Sequence, residues 1–215
     1  MAVDSPLARC VSDLEAEEAL ALVKTRITQG DMPEVILAEC REGLEDVGLR
    51  FESGEYFIAD LMYAASTFKK VMDLLGPELR EKVKGQKRGT VIIGTVKNDI
   101  HEIGKNLVAS MLDASGFDVH DMGVNVSPET ICQSIAERKP DIVALSCLLN
   151  ATVDSMEEAI AEIRRAGLRE RVKIIVGGIP VSPQLASAMG ADAYGDNAHE
   201  AVLKCRQLLG GRADA

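Results

Sequence analysis

The chain has 215 residues, 47% of them hydrophobic and 27% charged, the composition of a globular protein long enough to bury a core. Its formal net charge is −10, aromatic residues make up only 3% and Trp is absent. Such a chain is poorly suited to nucleic acid, whose phosphates need a basic surface and whose bases need aromatic stacking platforms.

The five cysteines, Cys10, Cys40, Cys132, Cys147 and Cys205, form no CxxC pair, so the zinc-site and thioredoxin spacings are missing. A scattered, odd set is typical of reduced thiols, and a cytoplasmic location is expected. The N-terminus (MAVDSPLARCVSDLEAEEA) turns acidic where a signal peptide needs its apolar stretch. No run approaches the ~18 apolar residues of a membrane span, so no membrane partner is expected.

The texture changes near residue 85. Before it, apolar spacing is helical and four helices are predicted. The first runs from about Ser12 to Thr28, with Leu14, Leu20, Val23 and Ile27 on one face and Ser12 and Glu15 arranged as a capping box. Gln29-Gly30-Asp31 breaks it, and Pro33 suits the first turn of a second helix ending near Phe51. Ser53-Gly54 turns into a third, from about Phe57 to Leu75, closed by Gly76-Pro77. A short fourth is predicted from about Glu78 to Val83. Short connections of this kind favour an antiparallel bundle. The polar stretch Lys84–Gly89 reads as a linker, which divides the chain into 1–86 and 87–215.

Beyond the linker, short β-branched runs alternate with helical stretches. Strands are predicted at Thr90–Thr95, Asp118–Met122, Ile142–Ser146 and Lys173–Val176, with a weak last one near Ala191–Tyr194. Helices are predicted at about Gly104–Ala114, Pro128–Glu137, Val153–Ala166, Pro183–Met189 and Ala198–Leu209. The strands are continuously apolar rather than alternating, as when helices cover both faces of a sheet. The fold class is a doubly wound parallel sheet, flavodoxin-like, behind an N-terminal four-helix bundle. In such sheets ligands bind beyond the carboxyl ends of the strands, so the residues there are the candidates.

After the first strand comes Gly94-Thr95-Val96-Lys97-Asn98-Asp99-Ile100-His101-Glu102-Ile103-Gly104-Lys105. Asp99 and His101 lie two apart. An imidazole can give one nitrogen to a metal while the other donates to a carboxylate, which fixes the tautomer and raises ligand basicity. Gly104 starts a helix where a bulky ligand can approach the backbone without meeting a side chain. The third strand ends in Ser146-Cys147-Leu148-Leu149-Asn150-Ala151-Thr152, which sets hydrogen-bonding side chains beside the first loop. The fourth ends in Val176-Gly177-Gly178-Ile179-Pro180, where paired glycines leave space for something flat or long. The last strand leads into Tyr194-Gly195-Asp196-Asn197-Ala198. Cys147 has no helix start or basic neighbour to activate it and reads as a buried thiol. His120 and His199 lack a setting like that of His101 and read as structural.

Asp-x-His-x-x-Gly at Asp99, His101 and Gly104, then Ser146 and Leu148, then Gly177 and Gly178, resembles the signature of cobalamin-binding domains. The resemblance implies a bound cobalamin or related corrinoid, cycling between methylcob(III)alamin and cob(I)alamin, with His101 as the cobalt ligand in place of the cofactor's own lower base. It implies a proton relay through Asp99 to Thr152, which stands where methionine synthase has Ser. It also implies cofactor contacts at Asn98, Asp99, Ile100, His101, Glu102, Gly104, Ser146, Leu148, Asn150, Gly177, Gly178 and Ala198. Asn98 and Asn150 depart from the commonest pattern, which has Gly and Thr at these places. The N-terminal helices are similar to the bundles that cap the methyl face of the corrin in methionine synthase and in the corrinoid proteins of methylamine, methanol, betaine and aryl-ether demethylation. Arg50–Met62 resembles the capping segment, with Phe51 and Ile58 over the methyl group.

The function implied is that of a corrinoid protein of one-carbon metabolism. It carries a methyl group on cobalt between a substrate-specific methyltransferase and an acceptor methyltransferase that serves a folate or a thiol. A reductive activase is a further implied partner, and the chain is a component of such a system rather than a complete enzyme. The alternative is a cobalamin-binding sensor or regulatory module. The acidic charge and the lack of a basic recognition helix weigh against it.

Overall fold

The structure, a computed structural model, describes residues 5–76 and 88–210. It divides into two compact units, Met1–Gln86 and Lys87–Ala215. Among the described residues no helix is long and apolar enough to cross a membrane.

The first unit contains α1 (Pro6–Ser12), α2 (Ala16–Gln29), α3 (Pro33–Glu52) and α4 (Ile58–Leu75). The sequence reading missed α1, although its signals are local. Ser5 caps it by accepting from Ala8 N, and Pro6 occupies the first turn. The helix predicted from Ser12 therefore begins at Ala16 instead, and no capping box forms there. Ser12 is the last residue of α1, and its hydroxyl donates to Asp46 Oδ2 at 2.6 Å. Leu14 takes φ +62 in the turn between α1 and α2, and Ile27 is 38% exposed. The buried face of α2 is Ala16, Ala19 and Val23. The reading favoured large residues, whereas close packing here uses small ones. The same economy brings α1 against α3: a Cβ on Gly43 would lie 2.5 Å from Ala8 O and 2.7 Å from Val11 Cβ. The predicted Glu78–Val83 helix and most of the linker lie outside the described residues.

The second unit runs β1 (Thr90–Thr95), α5 (Ile103–Ala114), β2 (Asp118–Asp121), α6 (Pro128–Arg138), β3 (Ile142–Ser146), a 3₁₀ turn (Asn150–Thr152), α7 (Val153–Arg165), β4 (Lys173–Gly177), α8 (Pro183–Met189), β5 (Ala193–Gly195) and α9 (Ala198–Leu208). The sheet is parallel throughout, in the order β2-β1-β3-β4-β5. This is the flavodoxin-like order, and the direction of winding reverses between β1 and β3. Val91–Ile93, Ile142–Leu145 and Ile174–Val176 are buried in the sheet, and Ile131, Ile135, Met156, Ile160 and Ile163 cover one face of it. The expectation of continuously apolar strands holds for β1, β3 and β4. It fails for β2, whose Asp118-Val119-His120-Asp121 is only partly covered at the sheet edge. The last strand is displaced by two residues from its predicted start and is the short opposite edge.

The ends of β3 and β4 approach closely. Gly178 has φ +125, and a Cβ there would fall 1.8 Å from Cys147 O. Gly178→Ala is expected to lower the unfolding free energy by about 3 kcal/mol or more, through backbone strain and this clash. Urea unfolding of the cofactor-free chain checks it, and an unchanged midpoint would contradict the packing described.

In the first unit Glu39 Oε2 accepts from Arg26 Nη1 at 2.6 Å and from Ser5 Oγ at 2.7 Å. Burial pushes the Glu39 carboxyl up, but Arg26 and then Ser5 outweigh it and hold it below its usual value of 4.5. A depressed carboxyl stabilises the fold above its unfolded value and loses that contribution as pH falls through the folded one. Glu39→Gln is expected to cost about 1 kcal/mol at neutral pH. The gap to wild type should close as the pH is lowered below 4.5, which urea titrations at successive pH values would detect.

Candidate functional site

The loops that follow β1 and β3 meet at the winding reversal, and a buried carboxylate joins them. Asp99 is wholly buried. Its Oδ1 accepts from His101 N at 3.0 Å and lies 2.7 Å from His101 Nδ1. Its Oδ2 accepts from Leu148 N at 2.7 Å, from Thr152 Oγ1 at 2.8 Å and from Leu149 N at 3.4 Å. The last three donors come from the end of β3, where the chain tightens into a 3₁₀ turn at Asn150–Thr152. Thr152 itself is 2% exposed. Thr95 Oγ1 at the end of β1 donates to His101 O at 2.8 Å and anchors the far side of the loop.

Burial alone would raise the Asp99 carboxyl, but the hydrogen bonds from Leu148 N, His101 and Thr152 overcome it and hold the group well below the usual carboxylate range. Asp99 therefore remains an anion that accepts from the imidazole. That fixes the proton on Nδ1 and leaves the Nε2 lone pair available to a metal.

The surroundings suit a large, flat guest. His101 keeps 45% of its side chain exposed. Ile100 and Ile103 are each 73% exposed, Ile179 is 84% exposed and Leu149 is 44% exposed. Apolar side chains left this open in one region mark a surface that a ligand covers. A Cβ on Gly104 would meet nothing within 4 Å, so packing within the protein does not demand this glycine. The protein offers one imidazole nitrogen rather than a cage. Among the described residues, no group of three or more His, Cys, Asp or Glu could hold a metal ion. A single axial donor suits a metal that brings its own equatorial ligands, as a macrocycle does.

The structure brings Asp99, His101 and Thr152 into one hydrogen-bonded chain. Ile100, Glu102 and Gly104 lie exposed in the same loop and at the start of α5. Ser146 and Gly177 are register partners at the ends of β3 and β4, with Leu148 and Gly178 just beyond. Asn150 is exposed in the 3₁₀ turn. Asn98 has φ +67, a conformation that Gly adopts freely and Asn more readily than most residues. Ala198 follows β5, whose Gly195 pairs with Gly177, and its side chain is buried in the first turn of α9. Phe51 and Ile58 belong to the other unit. Phe51 is half-buried near the end of α3, and Ile58 is 57% exposed at the start of α4, beside Phe57 at 70%.

Cys147 is buried, and burial together with the neighbouring Asp99 pushes its thiol up to about 11, the behaviour of an inert thiol. His120 lies at the β2 edge between Asp118 and Arg138, and His199 is buried in α9, so neither belongs to the site. The sequence reading missed the Leu148 and Leu149 amides, because a backbone donor leaves no trace in residue type. It also missed the hydroxyl of Thr95 and the turn residue Asn125, whose Gly123-Val124-Asn125 context was a readable turn signal.

A flavodoxin-like sheet that presents one locked imidazole among open apolar side chains defines a domain for a metal macrocycle. A B12 binding domain model matches residues 89–203, and a second B12 binding domain model matches residues 4–75. The chain is 38% identical over 202 residues to trimethylamine corrinoid protein 2 of Methanosarcina mazei, covering 93% of this chain and 92% of that protein. It is 34% identical to the dimethylamine corrinoid protein of Methanosarcina barkeri, covering 94% and 95%. It superimposes with a TM-score of 0.79 and 35% identity on the crystal structure of a cobalamin-binding protein from Desulfitobacterium hafniense DCB-2, covering 95% of this chain and 97% of that one. The chain belongs to the B12-binding family of corrinoid proteins, and its cofactor is cobalamin or a related corrinoid.

Thr152→Val is expected to destabilise the cofactor-free chain by about 1–3 kcal/mol, since it removes a donor from a buried carboxylate. Thr152→Ser should restore most of the loss. Equal unfolding midpoints for the Val variant and wild type would mean that this hydroxyl is dispensable to Asp99.

Proposed function

We propose that this protein is a methyl-carrying corrinoid protein that holds its cofactor through His101 and presents it in turn to two methyltransferases. One observation carries the reading: the His101 ring is tied through Nδ1 to a buried anion, which leaves Nε2 as a lone-pair donor on an open apolar surface. When bound, a corrinoid supplies a cobalt centre that accepts and releases a methyl group.

The chain's own residues do the rest. His101 Nε2 would hold the cobalt. Asp99 keeps the proton on Nδ1 and so leaves the lone pair on Nε2. Asp99 stays anionic because its donors hold it so. Thr152 and the Leu148 amide hold Asp99 in place throughout. Ile100, Ile103 and Leu149, all exposed, would support the corrin, and Gly104 would leave room beside it. Asn98, Glu102 and Asn150 offer polar contacts at its edge. Ser146, Leu148, Gly177, Gly178 and Ala198 line the way for a nucleotide tail. The resemblance of Arg50–Met62 to a capping segment supports a cofactor role for Phe51 and Ile58, and 87–215 would hold the cofactor.

Similarity to trimethylamine and dimethylamine corrinoid proteins supports a methylated amine as the methyl source, delivered by a separate substrate-specific methyltransferase. An acceptor methyltransferase then passes the group to a folate or a thiol. A reductive activase and a cytoplasmic setting complete the reading.

Reconstitution with hydroxocobalamin tests it. The wild-type chain should emerge coloured from gel filtration. His101→Ala should lose the spectrum of histidine-ligated cobalt and bind the cofactor about 10- to 100-fold more weakly. A colourless wild type, or an unchanged spectrum in the variant, would reject the assignment. A loaded chain that no amine methyltransferase can methylate would reject the carrier role.

A further inference from the structure

The segment between β2 and α6 contains Met122-Gly123-Val124-Asn125-Val126 and runs beside the His101 loop. Thr95 N donates to Gly123 O at 3.0 Å, Val126 N donates to Thr95 O at 3.0 Å, and Val96 pairs with Val126 in a parallel bridge. Within this frame Asn125 makes two contacts to the loop. Its Oδ1 accepts from Asn98 N at 2.8 Å, and its own N–H donates to Asp99 O at 2.8 Å. The two residues are linked reciprocally, and both are in the left-handed region, Asn98 at φ +67 and Asn125 at φ +54. Asn is among the few side chains that adopt this conformation cheaply. The segment is also tied at its start. Asp121 accepts from Gly123 N and pairs with Lys105, whose residue is 2% exposed in the first turn of α5. A buried ammonium is costly unless paired, so this anchor is not incidental surface charge.

We propose that Asn125 is a positioning residue for His101, clamping the ligand loop from the β2 side as Thr152 clamps Asp99 from the β3 side. The inference rests on the reading of His101 as the cobalt ligand. Asp99 and His101 are two residues apart, so the backbone at Asn98–Asp99 sets the direction in which the imidazole leaves the loop. Side-chain bonds to Asp99 fix its carboxylate. Among the described residues, the hydrogen bonds to Asn98 N and Asp99 O come from Asn125, while Asp99 N donates to Val96 O at 3.1 Å. Without them the left-handed turn at Asn98 has less to oppose its relaxation, and the ring samples several orientations while its bond to Asp99 survives.

Two substitutions separate the clamp from general stability. Asn125→Gly tolerates the positive φ but removes the acceptor, and Asn125→Asp keeps both. In the cofactor-free chain, exchange of the Asn98 amide should quicken by roughly tenfold or more in Asn125→Gly and stay near wild type in Asn125→Asp. With hydroxocobalamin, Asn125→Gly should bind about 2- to 12-fold more weakly, the value of one such hydrogen bond, with rescue by Asp. After one-electron reduction of the bound cofactor, the histidine-nitrogen splitting in the electron paramagnetic resonance spectrum should broaden in Asn125→Gly and be sharp in the other two. Wild-type affinity and sharp splitting in Asn125→Gly would overturn the proposal while leaving His101 as the ligand. A wild type with no nitrogen splitting would remove the ligand assignment and this role with it.

Discussion

Asp99 carries a charge with no access to water, and the second unit is organised around satisfying it. Burying a carboxylate is costly unless hydrogen bonds replace its hydration. Here the replacement comes from both sides of the winding reversal: the amide and ring of His101 on the β1 loop, and Leu148, Leu149 and Thr152 beyond β3. The same contacts that satisfy the charge also lock two loops together and fix the tautomer of the imidazole. The imidazole is thus oriented by the protein alone, with its Nε2 lone pair left free of that bond.

The first unit solves a different problem. Its helices approach by small residues, Gly43 against α1 above all, and by a hub at Arg50. Arg50 pairs with Asp46 at 2.8 Å and Asp13 at 3.0 Å, donates to Tyr56 Oη at 3.0 Å and lies over the Tyr56 ring. Tyr56 in turn donates to Ser12 O. These bonds stiffen the turn between α3 and α4, directly before the exposed Phe57, Ile58 and Met62. Each unit, taken by itself, thus combines a well-tied polar framework with apolar side chains that its own core does not cover. Those open apolar residues lie in the segments that the family resemblance singled out.

Much of this was legible in the sequence because it depends on local chemistry. Helical spacing located α3 and α4 to within a residue or so, and β-branched runs located β1, β3 and β4. The Asp-x-His-x-x-Gly spacing marked the loop in which Asp99 and His101 pair. Asn98 looked like a departure from pattern until its positive φ showed that Gly and Asn meet the same demand. What failed also failed locally. The Ser5-Pro6 start of α1 lies outside the expected helices, and of the large residues expected on the α2 face Val23 is buried while alanines supply the rest.

The sequence by itself determined the two-part organisation, the alternation of strand and helix, and the residue types at each strand end, because propensities and turn chemistry act over a few neighbours. Only the tertiary structure decided the order β2-β1-β3-β4-β5 and, with it, that a carboxylate at position 99 meets a hydroxyl at position 152. It alone showed that Asn125 reaches back to Asn98, and which isoleucines stay uncovered. Those contacts span the chain, and they exist because parallel pairing of β1 with both β2 and β3 brings three loops to one edge of the sheet.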